Sequence, residues 1–392
     1  MLAVVVAIGA GILLGVAVFS GGHERPVPAK ELRSRLQAIV AGPVPGALLF
    51  VRRDNRSTVL TAGVADEATK KPLAADDTFR IGSTTKTYTA VLVMRLVARG
   101  DLALDATVET YLPGLLRYGR AITVRQLLNH TSGLPDFADQ QPFLAPYERG
   151  DLRHTWTPAQ MIAFVAHKNL HFTPGSQFEY SNTNYVVLAL LAESIDGESY
   201  THQLDRYIFK PLALVHTAAP TTAARSPDIH GYAPIGPAGL GSYGNGTAGA
   251  RLVDTARMTP AAAWAAGGIQ ATALDEADFL RGLFSGKLLP RAQVAAMEDT
   301  SEAGGAYGLG LMDTGGFVDP WQSATRSITK SCDRAWGHGG AFPGYYQLAI
   351  SSPDGTRQAI LLVNADETLL TPAKTQQIYD LLATAYCRGA VS

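Results

Sequence analysis

Strand patterns stand near both ends of this chain and are almost missing from its middle. Residues 46–51 and 57–64 flank the turn Arg53-Asp54-Asn55-Arg56, and residues 345–351 and 357–363 flank Ser352-Pro353-Asp354-Gly355. Each is a strand, a turn and a strand. Between them the apolar residues recur at helical spacing, over 124–128, 158–166, 183–194 and 200–208. Further helices are predicted at 31–41, at 83–98 with a stop at Gly100, at 274–283 and at 372–385. Strands so far apart bury their faces only by pairing with each other, which predicts an α/β (α+β) protein: an antiparallel sheet built by the two chain ends, flanked by helices, with a mostly helical lobe inserted. The division is residues 1–30 as leader and linker, 31–100 with 265–392 as the α/β lobe, and 101–264 as the helical lobe. The glycine-rich residues 235–250 read as a long surface loop.

Composition narrows the function. With 46% hydrophobic and 17% charged residues, 392 residues bury a large core. Thirty-three Lys and Arg balance 34 Asp and Glu, and no basic block is present, which argues against a nucleic-acid partner. No zinc-type Cys/His spacing and no phosphate loop occurs, so neither a metal nor a nucleotide cofactor is implied.

Residues 2–19 are an unbroken apolar and glycine run followed by a polar, proline-containing stretch. It reads as an export signal or an anchor, the one part of the chain expected to meet a membrane, and places the protein outside the cytoplasm. Cleavage is left open. There the two cysteines, Cys332 and Cys387, either pair or remain as buried thiols.

Three groups of residues bear on chemistry. Ser83-Thr84-Thr85-Lys86 opens a predicted helix, so a spacing of three puts the amine beside the hydroxyl, close to unpaired backbone N–H groups. Ser83 alone also reads as a helix cap, and Ser327-Ile328-Thr329-Lys330 repeats the spacing without an apolar helix behind it. Tyr180-Ser181-Asn182 enters the next long helix; the phenol could act as a base if Lys86 lowered its pKa, and the plain alternative is a core tyrosine with a capping asparagine. Tyr243-Gly244-Asn245 repeats that spacing inside the glycine-rich loop. Gly337-His338-Gly339-Gly340 precedes an apolar strand, where Gly339, Gly340 and Ala341 would let substrate lie along the strand edge and His338 would donate to substrate or to Tyr180. A turn histidine is the alternative.

In this order the three groups resemble the S-x-x-K, Y-x-N and K/H-x-G signatures of the serine penicillin-recognising superfamily, the β-lactamases and penicillin-binding proteins. The resemblance is nearest to soluble D-alanyl-D-alanine carboxypeptidases. It extends to Phe79-Arg80-Ile81-Gly82, to Leu127-Leu128-Asn129-His130 with Ser132-Gly133-Leu134, to Tyr307-Gly308-Leu309-Gly310-Leu311 and to the placing of both cysteines. It implies a β-lactamase/transpeptidase-like fold and an acyl-enzyme on Ser83. In it Lys86 and Tyr180 relay the proton, Asn182 positions substrate, the backbone N–H groups of Ser83 and Ala341 form the oxyanion hole, and Trp264 lines the cleft. The implied partner is a small peptide, ester or β-lactam, peptidoglycan included.

The pattern breaks where those carboxypeptidases hold a terminal carboxylate. Their strand motif reads H-T-G-T and an arginine follows Y-G-L-G-L; here the positions are Gly339, Ala341 and Met312, without hydroxyl or charge. Arg326, Lys330 or Arg334 could substitute. An esterase or D-amino-acid amide hydrolase of the same fold therefore competes with the carboxypeptidase, followed by a β-lactamase and a non-catalytic penicillin-binding sensor.

Overall fold

The computed structural model describes residues 26–40, 42–221, 226–236, 239–240, 251–305, 307–314, 332 and 334–391. Helix α1 (Ala29–Ile39) leads into strands β1 (Gly46–Arg53), β2 (Arg56–Asp66) and β3 (Lys71–Pro72). Next come α2 (Thr85–Arg99), α3 (Asn182–Asp196) and α4 (Ala273–Phe284), with shorter helices between. The chain then returns through β4 (Met312–Asp313), β5 (Trp336–Phe342), β6 (Tyr345–Ser351), β7 (Arg357–Val363) and α5 (Pro372–Arg388). Among the described residues the strands form one seven-stranded antiparallel sheet in the order β4-β5-β6-β7-β1-β2-β3. The pairing of β7 with β1, from Val363 with Ala47 to Arg357 with Arg53, joins the two ends of the chain.

The central strands are apolar on both faces because both faces are covered. Leu49, Val51, Ala359 and Leu361 point into one core with Leu32, Leu36, Ile378 and Leu382 of α1 and α5. Leu48, Phe50, Ile360 and Leu362 point into the other, with Val91, Leu92, Leu188 and Phe279 of α2, α3 and α4. Each fully buried Leu, Ile or Phe stabilises this layering by about 1.5–3 kcal/mol. Helix α2 stops at Gly100, whose left-handed φ of 81° suits the residue without a Cβ. Cys332 and Cys387 form a disulfide with a Cα–Cα distance of 5.5 Å, tying the chain before β5 to α5.

Two elements differ from the sequence reading. Part of the expected loop at 235–250 is strand: Tyr232–Gly236 pairs with Arg251–Asp254 and Gly239–Leu240, runs too short to show a period. Phe79–Arg80 also forms a short strand, paired with Gln270–Ala271. The apolar run 2–19, the repeats at 243–245 and 327–330, and Arg326 lie outside the described residues. Among the described residues no helix is long and apolar enough to cross a membrane.

Candidate active site

Ser83 is placed by what precedes it. Phe79 and Arg80 are held by their strand partners, and the Ile81 N–H donates to the Ile269 carbonyl at 3.1 Å. One tight turn, Gly82–Thr84, then carries the serine into the start of α2. Two glycines let the edge of β5 touch this turn. A Cβ at Gly82, where φ is 52°, would lie 2.5 Å from the Ala341 oxygen and 2.7 Å from its nitrogen; one at Gly340 would lie 2.0 Å from the Ile81 oxygen. Strand β4 pairs only with Trp336 and Gly337, so among the described residues the outer edge of β5 from His338 onward has no strand beside it. That edge and the positive end of α2 thus flank one hydroxyl, an arrangement suited to a developing oxyanion.

Lys86 is fully buried, its Nζ 2.9 Å from Ser83 Oγ, 2.7 Å from Asn182 Oδ1 and 2.7 Å from the Ala266 oxygen. Burial lowers its pKa to about 7, against the opposing pull of Asp136. The amide and carbonyl oxygens only accept, so a neutral amine gives them both of its hydrogens and turns its lone pair to the Ser83 hydroxyl. Asp136 fixes the amide: its Oδ2 accepts from the Asn182 N–H at 2.9 Å and from Nδ2 at 2.8 Å, leaving Oδ1 for the lysine. Burial raises the Asp136 carboxyl above the usual range.

The ring of Tyr180 lies 4.6 Å from Lys86 Nζ. Burial raises its phenol well above 10, and a hydrogen bond with Ser83 only partly opposes this. Burial, rather than Lys86, dominates this phenol and favours its neutral hydroxyl, which leaves the Lys86 amine as the candidate base. The His130 ring stacks on Tyr180 at 4.2 Å and accepts from the Ser181 N–H at 3.2 Å through Nδ1. His130 thereby holds both the ring and the backbone that follows it. His338 is equally committed. Its Nδ1 faces the Gly339 carbonyl, so Nε2 accepts from the Tyr307 hydroxyl at 3.0 Å, and burial lowers its pKa to about 3. Its ring centre is 6.5 Å from that of Tyr180, and Tyr307, rather than Tyr180 as the sequence reading offered, is its hydrogen-bond partner.

Residues 32–383 match the family model described as Beta-lactamase. The chain belongs to this family. Penicillin-binding protein 4 of Amycolatopsis lactamdurans is 29% identical over 327 residues, 82% of this chain and 81% of that protein. Protein flp of Staphylococcus aureus is 30% identical over 200 residues, 49% of this chain and 38% of that protein, so the chain spans well under half of that relative. A D-stereospecific amidohydrolase from Streptomyces sp. superposes with a TM-score of 0.74 at 32% identity, over 86% of this chain and 94% of its own. The match and the fold place it in the serine penicillin-recognising superfamily.

Ser83, Lys86, Tyr180, Asn182 and His338 meet at one place, and the backbone of Gly339, Gly340 and Ala341 runs beside the nucleophile turn. Trp264 is nearly buried. It is 8% exposed and its ring packs edge-on against Tyr200 at 5.1 Å; its segment reaches the site through the Ala266 carbonyl. Met312 is buried, and Arg334 is paired with Asp313 at 2.6 Å and lies over Trp336. Asp136, His130 and Tyr307 were given no role from the sequence. Asp136 sits directly after the quoted Ser132-Gly133-Leu134 and Pro135, a position with no signal of its own.

Proposed function

We propose that the chain hydrolyses amides or esters of D-configured acyl groups through an acyl-enzyme on Ser83, without requiring a carboxylate at the leaving end. Lys86 takes the Ser83 proton as the oxygen attacks the carbonyl carbon. The backbone N–H groups of Ser83 and Ala341 receive the oxyanion, and the proton passes through Lys86 and Tyr180 to the leaving nitrogen or oxygen as its bond to carbon breaks. Water repeats the sequence, the acid is released and Ser83 regains its proton.

The observation that carries this reading is Lys86 Nζ at 2.9 Å from Ser83 Oγ with its other contacts held by acceptors. The substrate class is supported by the apolar residues at 312, 339 and 341, by the engagement of Arg334 with Asp313, and by the similarity to the D-stereospecific amidohydrolase. Losing a charge-assisted pair costs about 1.5–3 kcal/mol, at least tenfold in preference for a terminal carboxylate. The similarity to penicillin-binding protein 4 favours a second reading, a D-alanyl-D-alanine carboxypeptidase of peptidoglycan metabolism. The apolar leader supports action outside the cytoplasm in either case.

Rates on a D-amino-acid amide, a short acyl ester, a D-Ala-D-Ala peptide and a chromogenic cephalosporin separate the readings. The amide or ester is expected to turn over at least tenfold faster than the peptide, and Ser83→Ala to abolish all turnover. Faster release of D-alanine would replace the first reading by the second; turnover surviving in Ser83→Ala would remove the site.

A further inference from the structure

A cavity of about 320 Å³ opens on the side of the nucleophile strand that holds Arg80. We propose that it binds a small multivalent oxyanion, a carboxylate or phosphate compound, between Arg80, Arg153 and Arg257. The proposal stands on these residues and is independent of the substrate reading above.

Arg80 is 1% exposed, and buried guanidinium groups are ordinarily paired. This one has no ion pair among the described residues. Its Nη2 donates to the Met258 carbonyl at 3.1 Å and its plane lies 5.7 Å from the Phe342 ring, while Nε and Nη1 are buried with no acceptor among the described residues. The strand pairing of Arg80 with Gln270 prevents the residue from turning out to water. Arg153 and Arg257 reach the same cavity from two other segments, and neither has an ion pair among the described residues. Thr155, Ser226 and Thr259 add hydroxyls, and among the described residues no acidic side chain lines the space. The Thr259 oxygen already accepts from the Ala261 N–H, which leaves its hydrogen to donate.

An anion placed between three guanidinium groups is attracted by each of them. Guanidinium forks match the paired oxygens of carboxylates and phosphates, and the volume suits a compact ligand. None of the cavity residues belongs to the Ser83 site, although Arg80 precedes the nucleophile by one turn and Phe342 follows Ala341.

The full chain is titrated with inorganic phosphate and, separately, with malonate, at ionic strength held constant with sodium chloride, following heat and Tm. At least one anion is expected to bind saturably and raise Tm, and the tighter of the two names the ligand class. Arg153→Gln and Arg257→Gln, both at exposed positions, are each expected to weaken binding about tenfold while acylation of Ser83 by an activated ester continues. No response beyond the salt control, or binding that both variants leave unchanged, would overturn the site; either result leaves the Ser83 chemistry untouched.

Discussion

Lys86 and Asp136 set the pH behaviour of the nucleophile between them. Attack needs the amine uncharged, so acylation of Ser83 is expected to rise with pH through about 7, where burial has placed the lysine. A rate flat from pH 5 to 9 would exclude Lys86 as the base. Asp136 favours the charged ammonium, so Asp136→Asn should move this rise to lower pH, with a rate loss on the order of tenfold as the Asn182 amide loses its anchor. The serine and lysine were legible in the sequence because three residues along a helix make neighbours whatever the rest of the fold does. Asp136 and His130 were not, because one acts on an amide and the other on a ring brought to them only by folding. The same holds for the protonation of Tyr180: burial decides it, and burial is a property of the surroundings.

Between elements, the decisive contact is β5 against the turn before α2. Gly340→Ala would push β5 away from Ile81, and is expected to cost about 1–3 kcal/mol and to slow Ser83 acylation more than tenfold. Unchanged Tm and acylation would show that the strand need not lie so close. Helix α4 supports the same turn from behind: Gln347 Nε2 lies 2.6 Å from Thr84 Oγ1, 3.0 Å from the Ile81 oxygen and 2.9 Å from Glu276 Oε1. Burial raises the Glu276 carboxyl to about 8, so the folded protein keeps a proton that the unfolded chain gives up near 4.5. Its stabilisation is complete at low pH and is lost as pH rises through about 8, on the order of a few kcal/mol. Glu276→Gln should flatten that slope in urea unfolding followed between pH 5 and 8. An unaltered slope would place the proton elsewhere.

At the level of the whole molecule, the disulfide closes a sequence separation of 55 residues and contributes about 4 kcal/mol in the chain-entropy account. Cys332→Ser with Cys387→Ser is expected to lower unfolding stability by about that amount, and equal stability would show the bond to be incidental. The sheet was legible because hairpins announce themselves through turn residues and apolar runs, and such signals at both chain ends admit few pairings. The short strand at Phe79–Arg80 and the strands around residue 240 were not, since two to five residues hold too little pattern and their partners are distant in sequence. The seam between β7 and β1 also governs when the protein can exist. Val363 must emerge from the ribosome before Ala47 finds its neighbour, so the hairpin of β1 and β2 waits, half exposed, until β7 has been made. The strand edge beside Ser83 therefore forms late, and a nascent chain released before β5 lacks it.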